Sequence, residues 1–350
     1  MGAGALAMND TDPIYLDYNA TTPVLPEVVD AMLPYLRDRC GNPSSGHVYG
    51  QRARQAVARA REQVAALVGC EPDEVIFTSG GTEANNLAIR GVTDARDDRR
   101  HVVTTLIEHP ATARPCDWLE KHGWRVSRVG VDAQGCARVD EAAKAVGADT
   151  ALVTVMHSNN ETGVIQPVEE LARLAHAVGA LAHTDAAQSL GKVRVNVREL
   201  DVDLLSMAGH KLYAPKGVGA LYVKRGTPLL PFVLGAGHER GLRPGTENVA
   251  FIAGLGVACD AMGRDLDAAS ARMRDRRDAL WHALAAGVPG IQLNGHHELR
   301  LPNTLNVRFP GASGEALLAG APEIAASTGS ACHEGHESAS AVILAMGVAA

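Results

Sequence analysis

The sequence is poor in aromatic residues and in cysteine, and it has no excess of positive charge. Aromatic side chains make up 4% of the 350 residues, and the formal net charge at pH 7 is -7. An acidic balance gives no electrostatic attraction to nucleic acid or to an anionic membrane. We therefore expect neither of them as a direct partner.

The six cysteines lie far apart, and no two of them form a Cys-x-x-Cys pair. That spacing predicts neither a disulfide framework nor a four-cysteine zinc site. No apolar run approaches the length of a membrane span, and the first residues, MGAGALAMND, lack the basic start of a signal peptide. We expect reduced thiols, no membrane association and a cytoplasmic location.

Strand-like and helix-like segments alternate along the chain, which predicts an α/β fold whose mainly parallel sheet has helices on both faces. The predicted strands are residues 74–78, 101–107, 151–156, 181–184, 203–207 and 219–223. The clearest helix runs from Gln51 to Gly69, with apolar residues at the helical period. A second helix begins at Pro167 and ends at Gly179.

A glycine pair follows the first predicted strand, in FTSGGTEANN at residues 77–86. Such a junction presents backbone N–H groups and a helix dipole to a phosphate, and Thr82 adds a hydroxyl. The same string is also typical of an ordinary strand-to-helix turn with Thr82 as the N-cap. The string by itself leaves both interpretations open.

Two further residues bear on the same question. Asp185 ends a predicted strand among alanines, where it is either a helix N-cap or the partner of a protonated pyridine nitrogen. Lys211 follows His210 on a loop, where it is either solvated or an amine that forms a Schiff base with an aldehyde cofactor. A phosphate site, such a carboxylate and such a lysine together are what pyridoxal phosphate requires.

Short motifs along nearly the whole chain carry a resemblance to a known family. They are YLDYNATTPV, GNPSSGH, FTSGGTEANN, EHPA, NNETGVIQP, HTDAAQ, GHKLYAPKG, GHERGLRPGTEN and STGSAC. The sequence resembles the cysteine desulfurases, the NifS/IscS-like branch of the class V aminotransferase family. The resemblance implies a fold-type I pyridoxal 5'-phosphate enzyme, with a mainly parallel seven-stranded sheet in its large domain and a smaller α/β C-terminal domain.

The resemblance also implies a division of the chain into three parts. Residues 1–20 are expected to form an arm that packs with the small domain, residues 21–253 the large domain, and residues 254–350 a small domain shorter than in the family. Relatives continue through a segment whose arginine binds the substrate carboxylate. We expect either a truncated form or another group, Arg243 or Asn160, in that role.

Position by position, the resemblance implies a role for each cofactor residue. Lys211 is the lysine of the internal aldimine, Asp185 pairs with the pyridine nitrogen, and Gln188 donates to the phenolic oxygen. His109 stacks on the ring and helps to move protons. The phosphate ligands are Gly81, Thr82 and His210, the residue near the phenolic oxygen and the substrate carboxylate is Asn160, and the threonine that reaches the other subunit's phosphate is Thr246. That last role implies a homodimer.

One phosphate ligand of the family is missing. In many relatives a serine stands three residues before the lysine, and here that position is Ala208. Ser206 is close in sequence, but we do not expect it to substitute directly. We therefore expect somewhat weaker cofactor binding.

Cys332 lies in STGSACHEGHE at residues 327–337. Taken alone, it is a nucleophile, a zinc ligand beside His333 and His336, or an ordinary thiol. The absence of a fourth ligand or paired cysteine nearby argues against zinc. The resemblance implies that Cys332 takes sulfur from L-cysteine as a persulfide, with L-alanine as the other product. His333 or His336 either favours the thiolate or is simply solvated.

Two alternatives share these features. A selenocysteine lyase, or another class V lyase or transaminase, has the same cofactor residues, and a scaffold that binds a sulfur acceptor without turnover is the non-enzyme alternative. The sequence does not identify the acceptor protein, whether it serves iron-sulfur assembly, tRNA thiolation, DNA modification or a thiocofactor pathway.

Overall fold

The computed structural model describes residues 12–96, 98–329 and 340–348, so Cys332, His333 and His336 lie outside the described residues. The strands are β1 (Ile14–Tyr15), β2 (Val75–Thr78), β3 (His101–Thr105), β4 (Arg125–Val129), β5 (Thr150–Thr154), β6 (Leu181–Asp185), β7 (Leu204–Ala208), β8 (Gly219–Val223), β9 (Gln292–Leu293), β10 (Val307–Arg308) and β11 (Ile324–Ala325). The α-helices are α1 (Pro26–Arg37), α2 (Val48–Val68), α3 (Gly81–Ala95), α4 (Pro110–Lys121), α5 (Val139–Ala145), α6 (Val168–Ala177), α7 (Val249–Arg264), α8 (Leu266–Gly287), α9 (Gly314–Ala319) and α10 (Ala341–Ala345).

The large sheet has seven strands in the order β2-β8-β7-β6-β5-β3-β4. Its neighbouring strands are parallel, except that β8 runs antiparallel to both β7 and β2. The predicted α/β fold with a mainly parallel seven-stranded sheet is confirmed. Because the connections between parallel strands pass over the sheet, they place helices on both of its faces.

Alternate residues of each strand enter different cores. Val103 of β3 and Val153 of β5 belong to the larger core, which lies against α1, α2, α6 and α7. Their neighbours Val102 and Leu152 belong to a second core against α3 and α4. This two-sided burial explains why the strands read as continuous apolar runs rather than as alternating ones.

Each predicted strand lies within one or two residues of an observed one, but β4 was missed. Its sequence, RVSRV, has only two apolar residues, and it pairs only with β3 at the sheet edge. Arg125 and Arg128 extend to the acidic side chains of Asp149 and Asp117. An edge strand needs little apolar surface, so its sequence carries a weak signal.

Both predicted helices are present. In α2 the buried residues follow the helical period, and the helix ends at Gly69, whose φ of 76° is left-handed. A Cβ at Gly69 would lie 2.7 Å from Asn196 Nδ2, so glycine is required there for two reasons. The second helix, α6, follows Pro167 at its N-cap.

Two further two-stranded sheets lie outside the large sheet. Strand β1 pairs in parallel with β11, and β9 pairs with β10. The predicted boundary between residues 253 and 254 falls inside α7, whose Leu255 and Cys259 are part of the larger core. The division into domains stays a prediction. Within the described residues, no helix is both long and apolar enough to cross a membrane.

Candidate active site

A cavity of about 280 Å³ lies at the carboxyl ends of β6 and β7, where open α/β sheets bind their ligands. It brings together most of the predicted site residues, namely Gly81, Thr82, His109, Asn160, Asp185, Gln188, His210 and Lys211. A larger cleft of about 720 Å³ elsewhere on the surface contains none of them. The chemistry of the side chains therefore selects the smaller cavity.

Lys211 stands on a short 3-10 turn, Gly209–Lys211, directly after β7. Its Nζ donates hydrogen bonds to the backbone oxygens of Asn19 and Ala20, the latter at 2.8 Å. The amine therefore meets the chain's N-terminal segment at the cavity wall rather than extending into solvent. The interpretation of Lys211 as a solvated loop residue is wrong.

Asp185 is the last residue of β6 and is only 8% exposed. Its Oδ1 accepts from the N–H of Ala187 at 2.9 Å, and its Oδ2 accepts from Asn85 Nδ2 at 2.6 Å. The first bond makes a local turn, and the second orients the carboxylate from the neighbouring helix. Both bonds are to neutral donors.

Asn85 was missed by the sequence analysis. It is fully buried on α3, and its Oδ1 has no hydrogen-bond partner among the described residues. A buried asparagine among Ala84, Leu87 and Ala88 is unusual, because an amide is costly to bury without partners. The polar residue within that apolar stripe was the available signal.

His109 is the N-cap of α4, and its Nδ1 accepts from the N–H of Ala111 at 3.1 Å. The neutral ring therefore carries its proton on Nε2. Burial lowers the pKa of His109; Asp185 opposes this effect and Lys211 reinforces it. The ring lines the cavity as a neutral N–H donor at physiological pH.

Beside His109, Glu108 joins the ends of β3 and β5. The hydroxyl of Thr105 donates to Oε1 at 2.6 Å, and the N–H of Met156 lies 3.1 Å from both carboxylate oxygens. Burial raises the pKa of Glu108 to about 8. This residue was also missed, because its function in the fold depends on strands that are distant in sequence.

The N-terminus of α3 forms the opposite wall of the cavity. The N-cap is Gly80, with φ of 153°, so the interpretation of Thr82 as the N-cap is wrong. Among the described residues, the N–H groups of Gly81 and Thr82 have no acceptor. A Cβ at Gly81 would lie 3.2 Å from that of Ala208. This arrangement of unpaired donors at a helix N-terminus fits a phosphate.

His210 is the remaining predicted phosphate ligand. His210 lines the cavity, and burial, followed by Lys211, lowers its pKa to about 4, so it is neutral near pH 7. Ser206 does not replace the missing serine. Its hydroxyl lies 2.9 Å from His183 Nε2, inside the sheet.

Gln188 connects the cavity to a buried lysine, Lys192. Its Nε2 donates to the backbone oxygen of Asn19 at 3.0 Å, and its Oε1 accepts from Lys192 Nζ at 3.2 Å. Asn19 Nδ2 donates to the backbone oxygen of Asn160 and to Thr304 Oγ1. Neither Lys192 nor Asn19 was predicted. The contacts of Asn19 join segments far apart in the sequence, whereas Lys192 bonds to Gln188, only four residues before it.

Two predicted residues do not line this cavity. Thr246 is exposed, and Arg243 donates from its Nε to Glu83 Oε1 at 2.9 Å. Within residues 12–96, 98–329 and 340–348, no group of three histidine, cysteine or acidic side chains is placed to hold a metal. The zinc interpretation concerned Cys332, His333 and His336, which lie outside those residues.

The donor set matches the three ends of one ligand. Unpaired N–H groups at a helix N-terminus suit a dianion, the Asp185 carboxylate suits a protonated ring nitrogen, and the Lys211 amine suits an aldehyde. These features fit pyridoxal phosphate, whose binding would also give the buried carboxylate a charged partner.

Comparisons with known proteins show which family the chain resembles. The chain matches the family described as Aminotransferase class-V over residues 14–347. A cysteine desulfurase from Trichormus azollae is 45% identical over 337 residues, which cover 96% of this chain and 84% of that protein. A solved structure named NifS-like protein has a TM-score of 0.89 and 37% identity, covering 96% of this chain and 90% of its own. Another, SspA in complex with cysteine, has a TM-score of 0.86 and 34% identity, with 96% and 94% covered.

Proposed function

Since the chain belongs to the class V aminotransferase family, we propose that it is a pyridoxal-phosphate-dependent cysteine desulfurase that converts L-cysteine to L-alanine. The observation that carries this function is the placement of Lys211, Asp185 and the α3 N-terminus around one cavity. The similarity to named cysteine desulfurases and to a cysteine-bound structure favours this function over a selenocysteine lyase, another class V enzyme or a non-catalytic scaffold.

Each wall of the cavity has a role in holding the cofactor. Lys211 would bind it covalently, the N–H groups of Gly81 and Thr82 with neutral His210 would bind its phosphate, and Asp185 would keep its ring nitrogen protonated. Pyridoxal phosphate then supplies the electron sink that makes the α-proton of the substrate acidic. Ala208 contributes no hydroxyl, so the phosphate relies on backbone donors.

Proton transfer falls to two residues. Lys211, as a free amine beside the bound substrate, would be the base that removes the α-proton. His109 keeps its proton on Nε2, since Nδ1 is occupied by the N–H of Ala111. It therefore donates to a developing negative charge in the cavity and later recovers the proton.

The sulfur acceptor within the chain is Cys332. Its thiolate attacks the substrate sulfur, so an S–S bond forms as the carbon–sulfur bond of the substrate breaks and its electron pair stays with the carbon product. This assignment rests on the family resemblance of STGSAC, whose second half, including Cys332, lies outside the described residues. An acceptor protein then removes the sulfur from the persulfide.

For the substrate carboxylate we favour Asn160 over Arg243. Asn160 lines the cavity, whereas Arg243 is paired with Glu83. Replacement of Asn160 by alanine is expected to raise the KM for cysteine more than the Arg243→Ala change does. A larger effect at Arg243 would reverse this assignment.

The principal test follows the cofactor and the product separately. Purified protein with pyridoxal phosphate is expected to be yellow and to form one alanine per cysteine consumed. Lys211→Ala should lose the covalent absorbance band, while Cys332→Ser should keep the band and lose alanine formation. Protein that shows no band with added cofactor contradicts the proposed function. A Cys332→Ser enzyme that still forms persulfide and alanine contradicts only the sulfur-acceptor assignment.

We further propose a homodimer in which Thr246 completes the partner's phosphate site. Thr246 is exposed. Leu234, in an apolar stretch earlier in the chain, is 85% exposed. Exposed apolar surface of this kind is typical of a contact between protein chains. Thr246→Glu should repel the phosphate and inactivate the enzyme. Mixing it with inactive Lys211→Ala protein should restore activity, because each hybrid dimer then contains one intact site. No restoration after verified subunit exchange contradicts the shared site.

We also propose a reducing, cytoplasmic location. Cys40, Cys70, Cys116, Cys136 and Cys259 are all unpaired. Together with a persulfide chemistry that needs free thiols, they support the proposal of a reducing, cytoplasmic location. Alkylation of the protein in freshly lysed cells, before reduction, would reveal oxidised cysteines if this is wrong.

A further inference from the structure

Lys192 is a buried lysine behind the cavity wall. Lys192 is only 4% exposed. Its Nζ donates to the backbone oxygen of Gln188 at 2.9 Å and to Gln188 Oε1 at 3.2 Å. Among the described residues it forms no ion pair with a carboxylate. A buried lysine is costly without a counter-charge, so its retention in the fold requires a different reason.

The bonds of Gln188 fix the orientation of its amide from both sides. A lysine amine presents N–H groups, so the atom of Gln188 that faces Lys192 is the oxygen. On the other side, the carbonyl oxygen of Asn19 only accepts, so the atom that faces it is Nε2. The amide therefore cannot be turned over without losing both bonds.

The donating end of Gln188 lies beside the reactive amine. Gln188 Nε2 and Lys211 Nζ share one acceptor, the backbone oxygen of Asn19. Both residues line the cavity. A ligand group that replaces this carbonyl next to Lys211 would receive the N–H of Gln188, provided that Lys192 still occupies Oε1.

We propose that Lys192 is a positioning residue, which holds the amide of Gln188 with its N–H group toward the ring oxygen of the cofactor beside Lys211. This inference rests on the proposed function. Lys192 does not touch the reacting atoms; it acts through Gln188. Burial, and then the charge of Lys211, lower the pKa of Lys192 to about 7, but both the charged and the neutral amine donate N–H groups to Oε1.

The test measures the bound cofactor rather than turnover. An N–H bond withdraws electron density from the ring oxygen and so weakens proton binding at the nitrogen linked to Lys211. In Lys192→Met the midpoint of the pH-dependent absorbance change should therefore rise by about one pH unit, a tenfold change in proton affinity. Lys144→Met removes an exposed lysine and should leave the midpoint unchanged.

A double-mutant cycle separates positioning from a direct charge effect. Once Gln188→Ala has removed the amide, Lys192→Met should cause no further shift. An equal shift in both backgrounds means that the lysine charge acts on the cofactor directly and overturns the proposal. An unchanged midpoint in folded Lys192→Met assigns a purely structural role and overturns it as well.

A second measurement covers the case in which Lys192→Met fails to fold. In a crystal structure of the wild-type chain with pyridoxal phosphate, Lys192 Nζ should remain on Gln188 Oε1 and Nε2 should face the ring oxygen. The opposite amide orientation, or separation of Lys192 from Gln188, rejects the inference. If the wild-type protein gives neither an absorbance band nor alanine, the proposed function fails instead.

Discussion

Two buried aspartates stand at opposite ends of the same sheet, and their surroundings differ. Asp203, 6% exposed, precedes β7 at its amino end, and its Oδ2 accepts from the N–H of Ala182 and contacts His176 Nε2, both at 2.8 Å. Lys224 Nζ lies 3.8 Å from its Oδ1. Asp203 is thus surrounded by basic groups of the protein itself.

Asp185, at the carboxyl end of β6, is buried to a similar degree but contacts only neutral donors among the described residues. A buried carboxylate without a cation is costly, whereas one with basic neighbours is stabilising. The comparison indicates that Asp203 belongs to the fold, while Asp185 is completed by a ligand that carries a positive charge.

The largest expected effect comes from removing the charge of Asp185. Asp185→Asn keeps the shape of the side chain but no longer holds the ring nitrogen protonated. Alanine formation from cysteine should fall about a hundredfold to a thousandfold, as for loss of a group that stabilises developing charge. The melting temperature without cofactor should hardly change. Near-normal activity in Asp185→Asn would show that this carboxylate does not act on the cofactor.

The second prediction concerns how the stability of the fold depends on pH. His183 lies between them on β6, with Thr154 Oγ1 at 2.7 Å and Ser206 Oγ at 2.9 Å from its nitrogens, and burial lowers its pKa to about 3. The unfolded chain binds this proton below pH 6.5, and the folded chain does not. Stability should therefore fall as the pH decreases from about 6.5 to 3, by up to about 1.4 kcal/mol per pH unit.

Denaturant unfolding of the wild type and of His183→Gln at several pH values gives this slope. The variant lacks the imidazole, so its stability should depend less steeply on pH. The exposed His282 provides a control, since His282→Gln should leave the slope unchanged. Equal slopes in the wild type and in His183→Gln would assign the acid sensitivity to other groups.

Asp203→Asn is the matched counterpart of Asp185→Asn, at the other end of the sheet. Loss of the charge weakens the contacts with His176 and Lys224, which are themselves partly exposed and screened by solvent. We expect about 1 kcal/mol less stability and normal activity per folded molecule. A Tm measurement together with an active-site titration checks this. A large loss of activity with normal stability would remove the distinction between the two aspartates.

The sequence predicted those site residues that lie within one short motif. The strand ends at Asp185 and Lys211 and the glycine turn before α3 each combine a local structure with a chemical group, and the family resemblance assigned their roles. Asn85 and Asn19, which it missed, act over long separations. Asn85 reaches Asp185 across 100 residues, and Gln188 reaches Asn19 across 169.

Dependence on distant partners also explains why the sequence misplaced Arg243 and Thr246 in this cavity. A local string does not indicate that Glu83 pairs with Arg243, because the two meet only when α3 packs near the segment before α7. The role proposed for Thr246 requires a second chain. Prediction from sequence was therefore strongest for backbone elements and weakest for side chains whose partners the tertiary or quaternary structure supplies.

The smallest expected effect concerns the neutral contact of Asp185. Asn85→Leu removes the donor to Oδ2 but also removes the buried Oδ1 that has no partner among the described residues. The loss and the gain should nearly cancel in the stability of the cofactor-free protein, because an unsatisfied buried polar group is itself costly. The orientation of Asp185 should suffer, weakening cofactor binding about fivefold, or roughly 1 kcal/mol.

Titration of cofactor-free protein with pyridoxal phosphate, followed by absorbance, measures this change, and a melting curve measures the stability. Asn86→Leu is the control, because its side chain bonds to the backbone oxygen of Thr82 and not to Asp185. If Asn85→Leu lowers the Tm by many degrees, Asn85 is a structural residue like Asp203. If it changes neither quantity, Asp185 is oriented by the N–H of Ala187 alone, and the contrast between the two ends of the sheet rests on their charged neighbours only.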